Sequence, residues 1–417
     1  MKVYKFGGAS VKDAEGIRNV CSILETVGYQ DTLIVVSAMG KTTNALELVV
    51  ENYFKNPSEL ATSILEVKQY HLEVIHALFE AQAAPVLDHI QRLFEELNAF
   101  LKVNKSPDYS FLYDQVVSYG ELLSTTIIHL YLQHKGIQNQ WLDARTTVKT
   151  DDYYRGANLD WKRTQEAILA SVSKKELVFT QGFIGSDANN FTTTLGREGS
   201  DYSAAIFAFA LNAVSVTIWK DVAGVLNGDP RVFEDTVLLH QISYREAIEL
   251  AFYGASVIHP KTLQPLQRKE IPLFVRSFEN PTAVGTAVSK GKTLEPHVPC
   301  YIVKKDQVLL RLSSLDFSFI VEDNISDIFA LLHQYKMRVE LIQNSAISFS
   351  VCFTNKYDRL EDLLGVLRSR FNVEVTENVS LYTVRHFDAT AIQKIQKNGN
   401  KVLLEQRTSE TAQFVMA

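Results

Sequence analysis

The chain has 417 residues, 46% of them hydrophobic and 22% charged, and its 42 Lys and Arg against 48 Asp and Glu give a net charge of −6. That length suits two or three domains, and the apolar content supports sizeable cores and excludes wholesale disorder. The mildly acidic balance offers no basic stripe for nucleic acid, and no apolar run approaches the ~20 residues of a membrane span, so neither is an expected partner.

The opening MKVYKFGGAS lacks the apolar stretch of a signal peptide, and Cys21, Cys300 and Cys352 are too scattered for a disulfide framework, which fits a cytoplasmic protein. Val3–Phe6 reads as a strand running into Gly7-Gly8-Ala9-Ser10, followed by an amphipathic helix over Ala14–Thr26. Thr32–Ser37 is continuously apolar, as a strand buried on both faces requires. From Lys41 to Tyr119 there is no glycine, and apolar residues recur at helical spacing through Leu60–Val103, with Pro57, Pro85 and Pro107 as punctuation. This predicts an all-helical insertion over about 44–115, acting as a lid or flank. The alternation then resumes: a helix over Val116–His134, strands at Gln138–Leu142 and Glu176–Gly185, a helix from Ser203 to Leu211, a strand at Val214–Trp219, a helix over Ser243–Phe252 and a last strand at Ile271–Arg276. Strands alternating with helices predict an α/β fold with a mostly parallel sheet covered on both faces.

Ser289–Pro299 is polar and proline-containing and is read as a linker, so residues 1–288 form one domain. Beyond it lies a weak repeat: a helix from Asp323, then Val339-Glu340-Leu341 and Ile347–Phe353; and a helix from Asp358, then Val373-Glu374-Val375 and Val379–Val384. With Gln307–Leu312 as leading strand, this predicts a ferredoxin-like α+β domain over 301–387, a four-stranded antiparallel sheet with two helices on one face. The remaining 388–417 offer one helix, Ala389–Lys397, and two strands, Lys401–Gln406 and Thr411–Met416, and read as a truncated second unit.

Several turns carry candidate chemistry. Lys5-Phe6-Gly7-Gly8 is strand, glycine turn and helix start, a pattern that lets backbone N–H groups approach a polyphosphate with Lys5 as a point charge; an ordinary tight turn fits equally well. Thr192–Tyr202 (TTTLGREGSDY) is richer. Arg197 has the fork that grips a carboxylate, and Asp201 is either a site residue or the N-cap of the following helix. Trp219–Arg231 (WKDVAGVLNGDPR) follows a strand at the end where open α/β sheets bind ligands. Glu121, in Ser118-Tyr-Gly-Glu, opens a helix, and Ser37–Asn44 (SAMGKTTN) is another strand-end turn.

Together KFGGAS, VSAMGKTTN, VSYGELLST, TQGFIG, TTTLGREGSDY, WKDVAGVLNGDPR and GASVIHP, in this order, resemble the aspartate kinases of the amino-acid kinase family, and the C-terminal repeat resembles their paired ACT regulatory domains. The resemblance implies transfer of a phosphoryl group from ATP, with Mg²⁺, to the side-chain carboxylate of L-aspartate, giving 4-phospho-L-aspartate on the way to lysine, threonine and methionine. It implies Lys5 and Asp201 as catalytic residues. Thr43, Glu121, Arg197 and Ser200 become the aspartate site, with Arg197 on the α-carboxylate and Glu121 on the ammonium. Lys5, Gly7, Gly8, Lys220, Asp221, Leu226, Arg231 and Ser256 become the nucleotide site, and no residue is implied as a direct metal ligand. It further implies an amino-acid effector at the ACT-type region and a homodimer through it. Departures from the family pattern are Ala9 for Thr, Leu226 for Tyr, and Ser256 for a phosphate-facing Lys, whose charge Lys220 or Lys261 would restore. Where lysine-inhibited relatives carry an SLNMLHSRGF-like turn and a VDLITTSE-like strand, this chain has the 314–320 stretch without the glycine, and Ala346 in place of the second acidic residue, which predicts weak or absent lysine feedback. The end of the chain at Ala417 implies no appended homoserine dehydrogenase domain. Alternatives are an amino-acid kinase with another acceptor, or a catalytically weakened amino-acid sensor.

Overall fold

The computed structural model describes residues 1–172, 176–255, 258–316, 318–396 and 401–417. Ser256, the Phe317 of the 314–320 stretch and the Lys397 end of the last predicted helix lie outside the described residues.

Lys2–Phe6 (β1), Ala14–Val27 (α1) and Thr32–Val36 (β2) open the chain, and Asp13 caps α1 by accepting the Gly16 N–H at 2.8 Å. The glycine-free stretch folds as Thr42–Lys55 (α2), Leu60–Phe79 (α3), Ala84–Val103 (α4) and Tyr109–Val117 (α5). Their apolar stripes share one core with α1 and the strands, so the insertion buries its inner face on the α/β body. The helix expected over Val116–His134 begins instead at Tyr119 (α6, Tyr119–His134), separated from α5 at Ser118. Gln140–Leu142 (β3), Ala144–Thr147 (α7), Trp161–Ser171 (α8) and Val178–Gln181 (β4) follow. The strand expected to run on to Gly185 stops at Gln181. Ile184–Ser186 (β5) instead forms a separate two-stranded ribbon with Thr192–Thr194 (β6). Then come Gly199–Leu211 (α9), Ser215–Lys220 (β7), Gln241–Ser243 (β8), Tyr244–Tyr253 (α10), Pro260–Lys269 (α11), Leu273–Ser277 (β9) and Thr286–Ser289 (β10).

The first sheet has the order β3-β4-β2-β1-β7-β9-β10-β8, parallel at every pair except β9–β10. The chain moves outward from β1 first on one side, through β2, and later on the other, through β7. Their carboxyl ends therefore form the switch point where sheets of this kind bind ligands. Phe6 stacks on Trp219 of β7 at 6.1 Å, fixing that rim.

Two compact units arise: Met1–Val225, Leu238–Ile248 and Val257–Glu295 form one, and Leu226–Val237, Glu249–Ser256 and Pro296–Ala417 the other. The second holds an antiparallel sheet of Cys300–Ser313 (β11), Arg338–Asn344 (β12), Ser348–Thr354 (β13), Asn372–Arg385 (β14), Val402–Arg407 (β15) and Thr411–Met416 (β16), in the order β12-β13-β11-β14-β16-β15. Glu322–Gln334 (α12) and Leu360–Leu367 (α13) bury Ile328, Leu332, Leu363 and Leu367 against Leu310, Val351 and Phe353. Ala389–Gln396 (α14) packs Ile392 and Ile395 on Val384 and Phe414. The expected four-stranded sheet is therefore six-stranded. β11 and β14 are double-length strands that pair along both halves, with irregular register between Lys304 and Leu309 and left-handed backbone at Asp306 and Asn378. The two short strands expected at Val373 and Val379 are one continuous β14.

Candidate active site

Lys5 is the fourth residue of β1, and its side chain is almost wholly buried at the carboxyl rim of the sheet. The glycine turn beyond it is locked to the turn after β2: Gly40 N–H donates to the Gly8 carbonyl at 3.0 Å, and a side chain on Gly8 would meet the Ala38 carbonyl oxygen at 2.8 Å. Only glycine permits this approach.

Across from it, α9 begins at Gly199, earlier than expected, behind Glu198 in left-handed conformation. Asp201 thus lies in the first helical turn and is not the N-cap. Its carboxylate turns to Lys5, with Nζ 2.6 Å from Oδ1, and to Lys220 at the end of β7, with Nζ 3.4 Å from Oδ2. Asp201 is 1% exposed. Burial alone pushes its carboxyl up, but the two ammonium groups outweigh burial and hold it below the ordinary value. Burial, and then the neighbouring Asp201, push the Glu198 carboxyl up against the opposing pull of Lys220 and Lys5.

The floor is made by the turn after β2 and by α6. Glu121, in the first turn of α6, accepts the Ala38 N–H on Oε1 at 3.2 Å, while Oε2 has no protein partner. Complete burial raises its carboxyl to about 8. Ser124 donates to the Ser37 carbonyl at 2.8 Å, and Ser200 donates to Ser37 Oγ at 3.2 Å, tying α6 and α9 to one turn. Gly182 in TQGF leaves room for this contact, since a Cβ there would lie 2.6 Å from Ser200 Cβ.

These walls enclose a cavity of about 460 Å³ lined by Lys5, Thr43, Glu121, Arg197, Ser200 and Asp201 together with Ser37, Tyr113, Arg155, Phe183, Thr194 and Glu198. The six singled out from sequence as catalytic or substrate residues thus share one chamber. Of the expected nucleotide residues, Gly7 and Gly8 form its turn, a Cβ on Gly7 coming 3.3 Å from Lys5 Nζ, and Lys220 reaches Asp201. Asp221 is exposed beside Lys220. Leu226 and Arg231 belong to the second unit, where Arg231 folds onto Asp229 through Nε and Nη2 at 3.0 and 2.7 Å. Lys261 is exposed at the start of α11 and does not line the cavity.

Sequence reading assigned nothing to Ser37, Thr194 and Glu198, although all three lie inside quoted motifs. It missed Tyr113 and Arg155 altogether. The polar Asp151–Gly156 stretch, with an Arg beside a glycine, was the available signal for Arg155.

The cavity offers guanidinium and ammonium groups to anions and, among its described lining residues, no His or Cys. No group of three or more His, Cys, Asp or Glu side chains arranged for a metal occurs among the described residues. Asp201, the most buried carboxylate at the rim, is already matched by two lysines, so a divalent cation here fits on ligand phosphate oxygens and not on a protein cage.

The sequence model of the amino acid kinase family matches residues 1–277. The lysine-sensitive aspartokinase 3 of Escherichia coli strain K12 is 33% identical over 390 residues, covering 91% of this chain and 85% of that protein. A chloroplastic bifunctional aspartokinase/homoserine dehydrogenase 2 of Arabidopsis thaliana is 29% identical over 389 residues, and the chain spans 42% of its length. The crystal structure of E. coli aspartokinase III in complex with lysine and aspartate superposes with a TM-score of 0.81 at 31% identity, over 100% of this chain and 95% of that one. The same enzyme in complex with aspartate and ADP gives 0.81 at 29% identity. No helix among the described residues is long and apolar enough to cross a membrane. On this agreement of motif order, fold and kinship, the chain belongs to the amino acid kinase family and is a kinase of its aspartokinase branch.

Proposed function

We propose that this chain transfers the γ-phosphoryl group of ATP to the side-chain carboxylate of L-aspartate, giving 4-phospho-L-aspartate and ADP. The observation that carries this reading is the convergence of Arg197 and Glu121 on the cavity that Lys5 and Asp201 also line, with Lys220 reaching Asp201. The acceptor carboxylate is ionised at neutral pH, so the reaction needs no general base, and the lining supplies none that stands out. It needs alignment and charge neutralisation. Arg197 grips the α-carboxylate through its fork. Glu121, protonated in the empty site, gives up its proton when the substrate ammonium pairs with it. Thr43 and Ser200 supply hydroxyls. Asp201 holds Lys5 and Lys220 apart and aimed, and Lys5 meets the transferring phosphoryl group beside the N–H groups of Gly7 and Gly8. Mg²⁺, when bound with ATP, neutralises phosphate charge. Lys220, in contact with Asp201, is the residue that makes up for the cation absent at position 256. Asp221 completes the nucleotide site on the first unit.

In the same reading, residues 1–288 carry catalysis and residues 301–417 regulation, with a homodimer through the latter and cytoplasmic location. Lysine feedback is weak or absent. Beyond the replacement at Ala346, Glu340 is already taken: Lys304 pairs with its Oε2 and Arg338 Nε lies 3.2 Å from Oε1, so the carboxylate is not available to an effector ammonium. A coupled ADP-release assay with Mg-ATP and a panel of L-aspartate, L-glutamate, N-acetylglutamate, carbamate and UMP tests the acceptor. Turnover on L-aspartate alone is expected, and turnover on another member instead overturns it. A clear micromolar inhibition constant for lysine refutes the feedback reading.

A further inference from the structure

Arg155 was not foreseen, and its setting is unusual. Its backbone is left-handed, at φ 66°, in a residue other than glycine. That conformation costs on the order of 1 kcal/mol and persists only where the surroundings enforce it. The enforcing group is Asp114 of α5, fully buried, which accepts the Arg155 N–H on both oxygens at 3.1 Å and also accepts from Thr194 N at 2.8 Å and Thr194 Oγ1 at 2.7 Å. One carboxylate therefore fixes the Arg155 backbone to β6, whose Thr194 lines the cavity.

The side chain is fixed as well. Its guanidinium lies 4.1 Å from the centre of the Tyr113 ring, and Nη2 donates to Glu47 Oε1 at 3.0 Å. Glu47 follows Thr43 by one turn on α2, so the pair sits at the mouth of the acceptor chamber. Glu47 occupies one nitrogen of a fork built to take a carboxylate through two. The Arg155–Glu47 pair is part-exposed, at 42% and 35%, so a small carboxylate from solvent can displace it at little cost.

We infer that Arg155 is a specificity-determining residue: a second guanidinium, preset by Asp114 and Tyr113, that leaves Glu47 to share with Arg197 the α-carboxylate of the bound acceptor. The inference rests on the aspartate reading above. Two cations on the non-reacting carboxylate would select amino acids with a free α-carboxylate and leave the side-chain carboxylate to the phosphoryl group.

The test is steady-state kinetics of Arg155→Gln and Glu47→Gln on L-aspartate and on L-aspartate α-amide. Arg155→Gln is expected to raise the KM for L-aspartate by about fivefold, the upper end for a part-exposed ion pair, with the ATP KM within about twofold. On the α-amide, wild type and Arg155→Gln should have the same KM. Glu47→Gln, which frees the guanidinium, should lower the L-aspartate KM by about twofold or more. An unchanged aspartate KM in Arg155→Gln, or an equal loss on both acceptors, overturns the inference. Should Arg155→Gln not fold, Glu47→Gln decides: a lower KM supports the inference and an unchanged or raised one overturns it. Failure of the wild type to turn over L-aspartate at all sinks the function proposed above and this inference with it, whereas an active wild type with an indifferent Arg155→Gln sinks the inference alone.

Discussion

Glu121 sets a measurable conflict between stability and substrate binding. Its carboxyl is 1% exposed, and burial raises it from 4.5 to about 8. At about pH 7.5 the unfolded chain carries Glu121 ionised, while the folded chain with an empty site must hold the proton. Holding it costs about 4 kcal/mol, at 1.36 kcal/mol per unit. The sign follows from the raised value: stability is full below the unfolded value of 4.5 and is lost as pH rises towards 8. Glu121→Gln removes the titration. The Gln oxygen keeps the bond from the Ala38 N–H, and its amide nitrogen takes the place of Oε2, which has no protein partner, so about 1–2 kcal/mol is given back. The variant should therefore be more stable than wild type by about 2 kcal/mol at about pH 7.5, and no more stable at about pH 5, where the remaining linkage, under about 1 kcal/mol, no longer exceeds what is given back. Denaturant unfolding at the two pH values reads this directly. The same variant should raise the aspartate KM by well over tenfold, because the neutral amide cannot pair with the substrate ammonium. In the wild type that KM should fall as pH rises towards 8, and in the variant it should not. A variant less stable at about pH 7.5, or equally shifted at both pH values, refutes the reasoning.

Arg197→Ala deletes a two-pronged charge-assisted contact worth roughly 2–5 kcal/mol when desolvated, so the aspartate kcat/KM should drop by well over tenfold with little change in ATP affinity. Asp201→Asn leaves Lys5 and Lys220 facing each other without their shared carboxylate; turnover should be lost, and unfolding should come about 3 kcal/mol sooner, which thermal denaturation against wild type measures. Lys220→Ala should weaken Mg-ATP binding by about tenfold in titration calorimetry, and unchanged ATP binding and turnover would remove Lys220 from the nucleotide site.

Where a single physical signal decided the local structure, the sequence was readable. The unbroken apolar run of β2, the glycine-free helical stretch and the glycine turn after Lys5 each imply their structure directly. Boundaries set by tertiary contacts were not. α9 starts at Gly199 because Asp201 is drawn to two lysines from other strands, so Gly-Ser-Asp reads as a cap only until those partners are known. β14 looks like two strands because Asn378 adopts a turn-like left-handed backbone, yet pairing with β11 carries it through. β8 and β10 went unread because three- and four-residue strands have too few positions to show a period. The polar stretch around Arg155 was a local signal, but its role was not legible because Asp114, Tyr113 and Glu47 sit on helices about forty or more residues away in sequence.

Trapping the product with hydroxylamine addresses the chemistry most directly. Incubation with Mg-ATP, L-aspartate and hydroxylamine should yield aspartate hydroxamate in step with ADP, through capture of a carboxyl phosphate, and Lys5→Ala should abolish both together. ADP released without hydroxamate, or at the same rate when aspartate is left out, would contradict phosphoryl transfer to the substrate carboxylate in the Lys5–Arg197 chamber.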